Sequence, residues 1–338
     1  MKVTRFSGLA GAAALVLMTA ACGGGGGTSG PSDGDAAIEQ VNYLTSFNTF
    51  GRDAYVYVAQ EKGLFKEAGL EVSIKPGSGT VDVMKLLASG RADFGAGDFT
   101  STLVTVAKEK LPVTTVGMIH QKSLAAIMSL EGKGITQPKD LEGRTVGDQP
   151  GSTNQVIFPV YAKAAGIDAA KVKFVPSAPP ALPQLLAGGK VDAIGQFVVG
   201  QPLIEKAAQG KKTTILPYGE KLPDLYGNAL LASSKLVQDK PELAKKFTAA
   251  LMKGLDYSIA HPEETGEILK KYQPTQDATV AAAEVTAMAP YVKPEGETVG
   301  AVDRARVEAN IKILVDAGAI TAGLTPEQVV DFAVTPQG

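Results

Sequence analysis

Two stretches of this chain set glycine and hydroxyl side chains directly ahead of a helical pattern, Gly77-Ser78-Gly79-Thr80 and Gly151-Ser152-Thr153-Asn154. Free backbone N–H groups and the helix dipole at such a place favour an anionic or carbonyl oxygen. The same hydroxyls serve equally as plain N-caps, and both readings stand. Ser78, Gly79, Thr80, Gly151, Ser152 and Thr153 are therefore candidate ligand contacts. Phe50, Phe99, Phe197 and Tyr226 fall in or beside neighbouring turns, where rings either sandwich a flat ligand or simply close over a core. Asn48, Asp98, Gln196 and Asn228 add amide and carboxylate groups in the same turns. Arg52 suits a sulfonate, nitrate or carboxylate, although Asp53 beside it offers an internal ion pair.

Other chemistries find little support. Cys22 is the single cysteine, so no intramolecular disulfide forms and no thiolate serves inside the fold. His120 ends a strand-like run, where a histidine is usually packed or solvated, and His261 precedes Pro262 at a helix start on the expected surface. No spacing of His, Asp and Glu suits a metal, and Gly95-Ala96-Gly97 lacks the third glycine of a dinucleotide fingerprint. No cofactor is expected. With 33 basic and 35 acidic residues scattered singly, no nucleic-acid surface is expected either.

The elements that would position these loops read clearly. Lys2 and Arg5, the apolar run Leu9 to Met18 and the small residues Thr19-Ala20-Ala21 before Cys22 form the layout of a signal peptide over 1–21. Cys22 stands where a lipobox cysteine receives its lipid, and 22–37 is a glycine-rich tether. From Ile38 onward, strand patterns at Glu39–Thr45, Glu71–Lys75, Ala92–Gly95, Val113–Met118 and Ala125–Leu130 alternate with helical ones at Ala54–Lys62 and Val81–Ala88. A second series places strands near Thr145–Gly147, Lys173–Val175, Ala193–Gln196 and Thr213–Pro217, with helices near Asn154–Ala165, Ala181–Ala187 and Gly200–Gln209. After a return strand at Ala229–Ala232, helices are predicted at Pro241–Ala260, Pro262–Tyr272, Gln276–Ala287, Asp303–Ala317 and Pro326–Ala333. The expected fold is α/β and two-lobed, with lobe 1 from 38–127 and 229–338, lobe 2 from 128–228, and crossovers near Ile127–Leu130 and Gly227–Leu231. Ligands of open α/β sheets sit outside the carboxyl ends of the strands, so the loops named above line the expected cleft.

The run from Tyr55 to Val72, with its Gly63-Leu64-Phe65 and Gly69-Leu70-Glu71 corners, resembles the periplasmic substrate-binding proteins of the nitrate, sulfonate, taurine and thiamine-pyrimidine importers. Leu86-Leu87-Ala88-Ser89-Gly90-Arg91-Ala92-Asp93, Asp140-Leu141-Glu142-Gly143-Arg144 and Leu186-Ala187-Gly188-Gly189-Lys190-Val191-Asp192-Ala193 continue the resemblance, in order, from about 40 to 270. Gly69, Gly90 and Gly189 read as helix ends, and Asp93 and Asp192 as corners accepting backbone N–H groups. Many members carry a tryptophan after the second-lobe Asp-Ala corner, and this chain has none. The resemblance implies a type II periplasmic-binding-protein fold. It also implies a monomeric, exported lipoprotein, held at the membrane by lipid on Cys22, that binds a small molecule and hands it to the permease of an ABC importer. A pyrimidine-like heterocycle is the favoured ligand, with an alkyl- or arylsulfonate, taurine or nitrate as alternatives. Fungal pyrimidine synthases share the scaffold, so an enzyme is the second class considered, and an adhesive or sensory lipoprotein is the third.

Overall fold

The computed structural model describes residues 38–293 and 298–336; the signal peptide, Cys22 and the tether lie outside the described residues. Strands and helices are numbered along the chain. A first sheet has the order β3 (Leu70–Lys75), β1 (Glu39–Leu44), β5 (Phe94–Asp98), β12 (Asn228–Ser233), β6 (Val113–Met118). A second has the order β11 (Thr213–Pro217), β7 (Ala125–Leu130), β10 (Ala193–Phe197), β8 (Thr145–Asp148), β9 (Lys173–Pro176). The short pair β2 (Phe47–Asn48) and β4 (Gly77–Ser78) closes a loop beside the first.

Each sheet is parallel except for one strand. β12 runs antiparallel to β5 and β6, and β7 runs antiparallel to β10 and β11. Both are the first strand after a passage between sheets, so the chain enters each sheet by an inserted antiparallel strand. The passages run through 119–124 and 218–227, upstream of the expected Ile127–Leu130 and Gly227–Leu231. Those residues, apart from Gly227, are instead buried within strands β7 and β12. The two crossovers are hydrogen-bonded side by side, Ser123 N to Leu225 O at 2.9 Å and Gly227 N to His120 O at 3.0 Å. A Cβ on Gly227 would lie 2.5 Å from Lys122 O, so only glycine permits this approach.

Around the first sheet lie α1 (Tyr55–Glu61), α2 (Leu64–Glu67), α3 (Thr80–Ala88), α4 (Phe99–Glu109), α8 (Ser234–Asp239), α9 (Pro241–Ala260) and α10 (Pro262–Tyr272). Around the second lie α5 (Thr153–Ala165), α6 (Leu182–Ala187) and α7 (Gln201–Ala207). Periodicity does not mark α4, because its Thr- and Ser-rich sequence disfavours helix; Asp98 starts it by accepting from Ser101 N at 2.8 Å. α11 (Ala278–Val292) and α12 (Arg304–Asp316) complete the chain, and the expected helix at Pro326–Ala333 is only a 3-10 turn over Pro326–Gln328. Val330 there bridges to Thr115 of β6, which takes the segment out of helical geometry.

α12 reaches both crossovers. Arg306 stacks on Tyr226 with its guanidinium carbon 4.0 Å from the ring centroid, and its Nε donates to Asp224 O at 3.0 Å. A second nitrogen of the same guanidinium donates to Gln121 O. α11 packs on the 3-10 turn Gly51–Asp53 and on α7, where Lys206 pairs with Asp277.

Phe247 of α9 anchors the face of the first sheet: it stacks on Phe94 at 4.2 Å and on Phe65 at 5.4 Å between centroids, and is fully buried. Phe247→Ala should lower the free energy of urea unfolding by about 3–5 kcal/mol. A loss below about 1 kcal/mol would show that the cluster repacks around the gap.

Candidate functional site

The carboxyl ends of both sheets open on one cleft, lined by Ser46, Phe47, Arg52, Gly79, Thr80, Asp148, Ser152, Thr153, Asn154, Gly195, Gln196 and Phe197. Two helix N-termini meet across it. Gly79 precedes α3 with φ 112°, leaving no side-chain cap there, whereas Ser152 caps α5 by accepting from Gln155 N at 3.1 Å. Thr80 Oγ1 and Thr153 Oγ1 stand 3.2 Å apart, and Gln149 Nε2 donates to Ser78 O at 2.7 Å. These contacts tie one side of the cleft directly to the other.

Arg52 forms the floor. It is 2% exposed, with its guanidinium carbon 4.5 Å from the Phe50 centroid and 5.1 Å from that of Phe197. Its Nε lies 3.9 Å from Asp53 Oδ2, and its Nη2 donates to Phe47 O at 3.4 Å. Glu284 of α11 is buried beside this pair, with the backbone N–H groups of Gly51 and Arg52 favouring its charged form. Burial pushes Glu284 up to about 7 against the pull of Arg52. Burial likewise raises Asp53 to about 6, opposed by Arg52 and by the Phe50 N–H.

The structure sorts the expected contacts. Arg52, Gly79, Thr80, Ser152, Thr153, Gln196 and Phe197 line the cleft, and the Phe50 ring packs against Arg52. Phe99 and Tyr226 do not line it: they pack edge to face at 5.6 Å within the hydrophobic core. Asp98 and Asn228 lie beneath the lining. Asp98 caps α4 and is raised to about 7 by burial, while Asn228 Nδ2 reaches Ser46 Oγ at 3.3 Å. Asn48 and Ser78 face an outer groove with Pro150 and Ser177, and Gly151 serves the turn before α5 with φ 76°. His120 is buried at the first crossover, where desolvation and then Arg52 hold its pKa down to about 3.

Ser46, Phe47, Asp148, Asn154 and Gly195 complete the lining without having been singled out from the sequence. Asn154 ends a stretch already marked, and Ser46 and Phe47 directly precede the candidate Asn48. The signal for Gly195 was its place inside a strand, which implies close approach of another group. That group is Asp148: a Cβ on Gly195 would lie 2.2 Å from its Oδ2.

A family model described as NMT1/THI5 like matches residues 52–265. The chain is similar to 4-amino-5-hydroxymethyl-2-methylpyrimidine phosphate synthase of Candida albicans (strain WO-1), 28% identical over 246 residues that cover 70% of this chain and 72% of that one. It is 26% identical over 243 residues to the formylaminopyrimidine-binding protein of Halalkalibacterium halodurans, covering 72% of this chain and 73% of that one. In structure it is similar to the periplasmic aliphatic sulphonate binding protein SsuA from Escherichia coli, with a TM-score of 0.68 at 16% identity over 89% of this chain and 94% of that one. The fold is therefore the periplasmic-binding-protein fold, as expected.

Asp53, Asp98, Asp148 and Glu284 all have carboxyls raised to about 6 or 7, chiefly by burial. A carboxyl raised in the folded state contributes stability that is complete below its unfolded pKa and lost as pH rises through the folded one. The urea midpoint should therefore fall between pH 4 and pH 8, with most of the change above pH 5. Glu284→Gln removes one such group and should shrink the stability loss across this window by an amount on the order of 3 kcal/mol. An unchanged slope would show that Glu284 does not titrate in this window.

Proposed function

Since the chain belongs to the NMT1/THI5-like family, we propose that it is an exported solute-binding protein that captures a small, flat, polar heterocycle of the pyrimidine type and delivers it to an ABC importer. The observation that carries this reading is the cleft between the two sheets, whose lining combines the Phe197 and Phe47 rings with hydroxyls, amides and two helix N-termini. A flat ring gains from aromatic contact, and convergent polar groups fix its orientation. The relative named as a formylaminopyrimidine-binding protein supports the same ligand class.

A sulfonate, taurine or nitrate would need the charge of Arg52. That charge is already opposed by Asp53 and Glu284 and covered by two rings. A synthase, as other relatives are named, would need a reactive group at the cleft. The lining offers hydroxyls, amides, Arg52 and Asp148, while His120 lies beneath it and His261 stacks on Tyr257 at 4.2 Å. No helix among the described residues is long and apolar enough to cross a membrane. The proposed attachment is lipid on Cys22, as the pattern Thr19-Ala20-Ala21-Cys22 suggests.

Formylaminopyrimidine should raise the melting temperature of the purified protein, as any ligand of the native state does, and calorimetry should show Phe197→Ala binding it about tenfold more weakly. A melting shift with ethanesulfonate and none with formylaminopyrimidine would favour the sulfonate reading. For the anchor, Cys22→Ala should move the protein from the membrane to the soluble fraction; a variant that still sediments with membranes is held by something else.

A further inference from the structure

Asp148 ends β8 on the wall of the cleft and is 2% exposed. Its Oδ1 accepts from Gln149 N at 2.8 Å and its Oδ2 from Ser152 Oγ at 2.6 Å. Each carboxylate oxygen has two lone pairs, so one bond apiece leaves acceptor capacity on both. Burial holds its pKa up at about 6 against those two bonds, with no cation among the causes. Gly195 lies directly under Oδ2, where any side chain would displace the carboxylate. Asp148 and Arg52 are the two charged residues of the lining. Arg52 is offset by Asp53 and Glu284, whereas Asp148 faces the cleft with its charge unopposed.

A buried carboxylate with spare acceptor capacity is stabilised by a ligand N–H and destabilised by a ligand oxyanion. We propose that Asp148 determines specificity in this cleft, selecting solutes that present an N–H donor, such as an amino-substituted heterocycle, and rejecting sulfonates and other oxyanions. This rests on the reading of the cleft as a heterocycle site.

The test uses calorimetry on the purified protein with three probes: 4-amino-5-hydroxymethyl-2-methylpyrimidine, the same ring carrying methoxy in place of the 4-amino group, and ethanesulfonate. The wild type should bind the amino compound at least tenfold more tightly than the methoxy compound and should not bind ethanesulfonate. In Asp148→Asn the oxygen held by Gln149 N keeps its place, so an NH₂ replaces Oδ2 and a donor stands where the acceptor was. Affinity for the amino compound should then drop at least tenfold, and binding of ethanesulfonate should appear. Wild type that binds both pyrimidines equally, or Asp148→Asn that keeps wild-type affinity, overturns the role of Asp148 and leaves the heterocycle reading intact. Wild type that binds neither pyrimidine overturns both. Should Asp148→Asn fail to fold, the comparison of amino and methoxy compounds on the wild type decides alone.

Discussion

Burying the guanidinium of Arg52 is the constraint from which much of the site follows. A charge removed from water must be paired, and breaking such a pair costs about 3–5 kcal/mol. Asp53 is next in the chain, and Glu284 arrives from α11. That helix can lie so close to the turn Gly51–Asp53 only because Gly51 has no side chain, since a Cβ there would stand 2.5 Å from Ala281 O. Phe50 and Phe197 then pack their rings against the guanidinium. Phe197 ends β10 of the second sheet and Arg52 lies in the turn before α1, which packs around the first, so the floor of the cleft is itself a contact between the two halves.

The topology explains why the polar groups converge there. β1, β5, β8 and β10 end on the cleft, and the two inserted antiparallel strands begin there. Asn228 at the start of β12 supports Ser46 beyond β1, and Asn154 of α5 accepts from Ala126 N of β7 at 3.1 Å. Each crossover therefore delivers, at its first residues in the new sheet, a contact that braces the lining. The same corner is used twice: Asp93 accepts from Asn42 N at 2.7 Å in the first sheet, and Asp192 accepts from Thr145 N at 2.8 Å in the second.

Those corners were legible because they are local. Asp93 and Asp192 read as acceptors of backbone N–H groups, and Gly69, Gly90 and Gly189 read as helix ends; their φ values of 74°, 69° and 64° agree. The helix N-termini at Thr80 and Ser152 were equally plain. What the pattern did not carry was direction. Phe99 and Phe197 both stand where a strand gives way to a helical turn and look alike in sequence, yet the first is buried in the core and the second lines the cleft. The crossovers were set too late because β7 and β12, largely apolar, carry no mark of which sheet they join. Glu284 was invisible for another reason: its partner is far away in the chain, and an amphipathic helix gives no sign that one acidic residue lies on its buried face.

Arg306 gives the paired crossovers a particular mechanical character. One rigid, planar fork grips a carbonyl on each strand of the pair, Asp224 O on one and Gln121 O on the other, and rests its plane on the Tyr226 ring. Bending both strands together leaves the fork's span unchanged, whereas sliding one along the other stretches it until a bond breaks. The fork therefore opposes sliding of one crossover along the other, and leaves bending of both together unopposed.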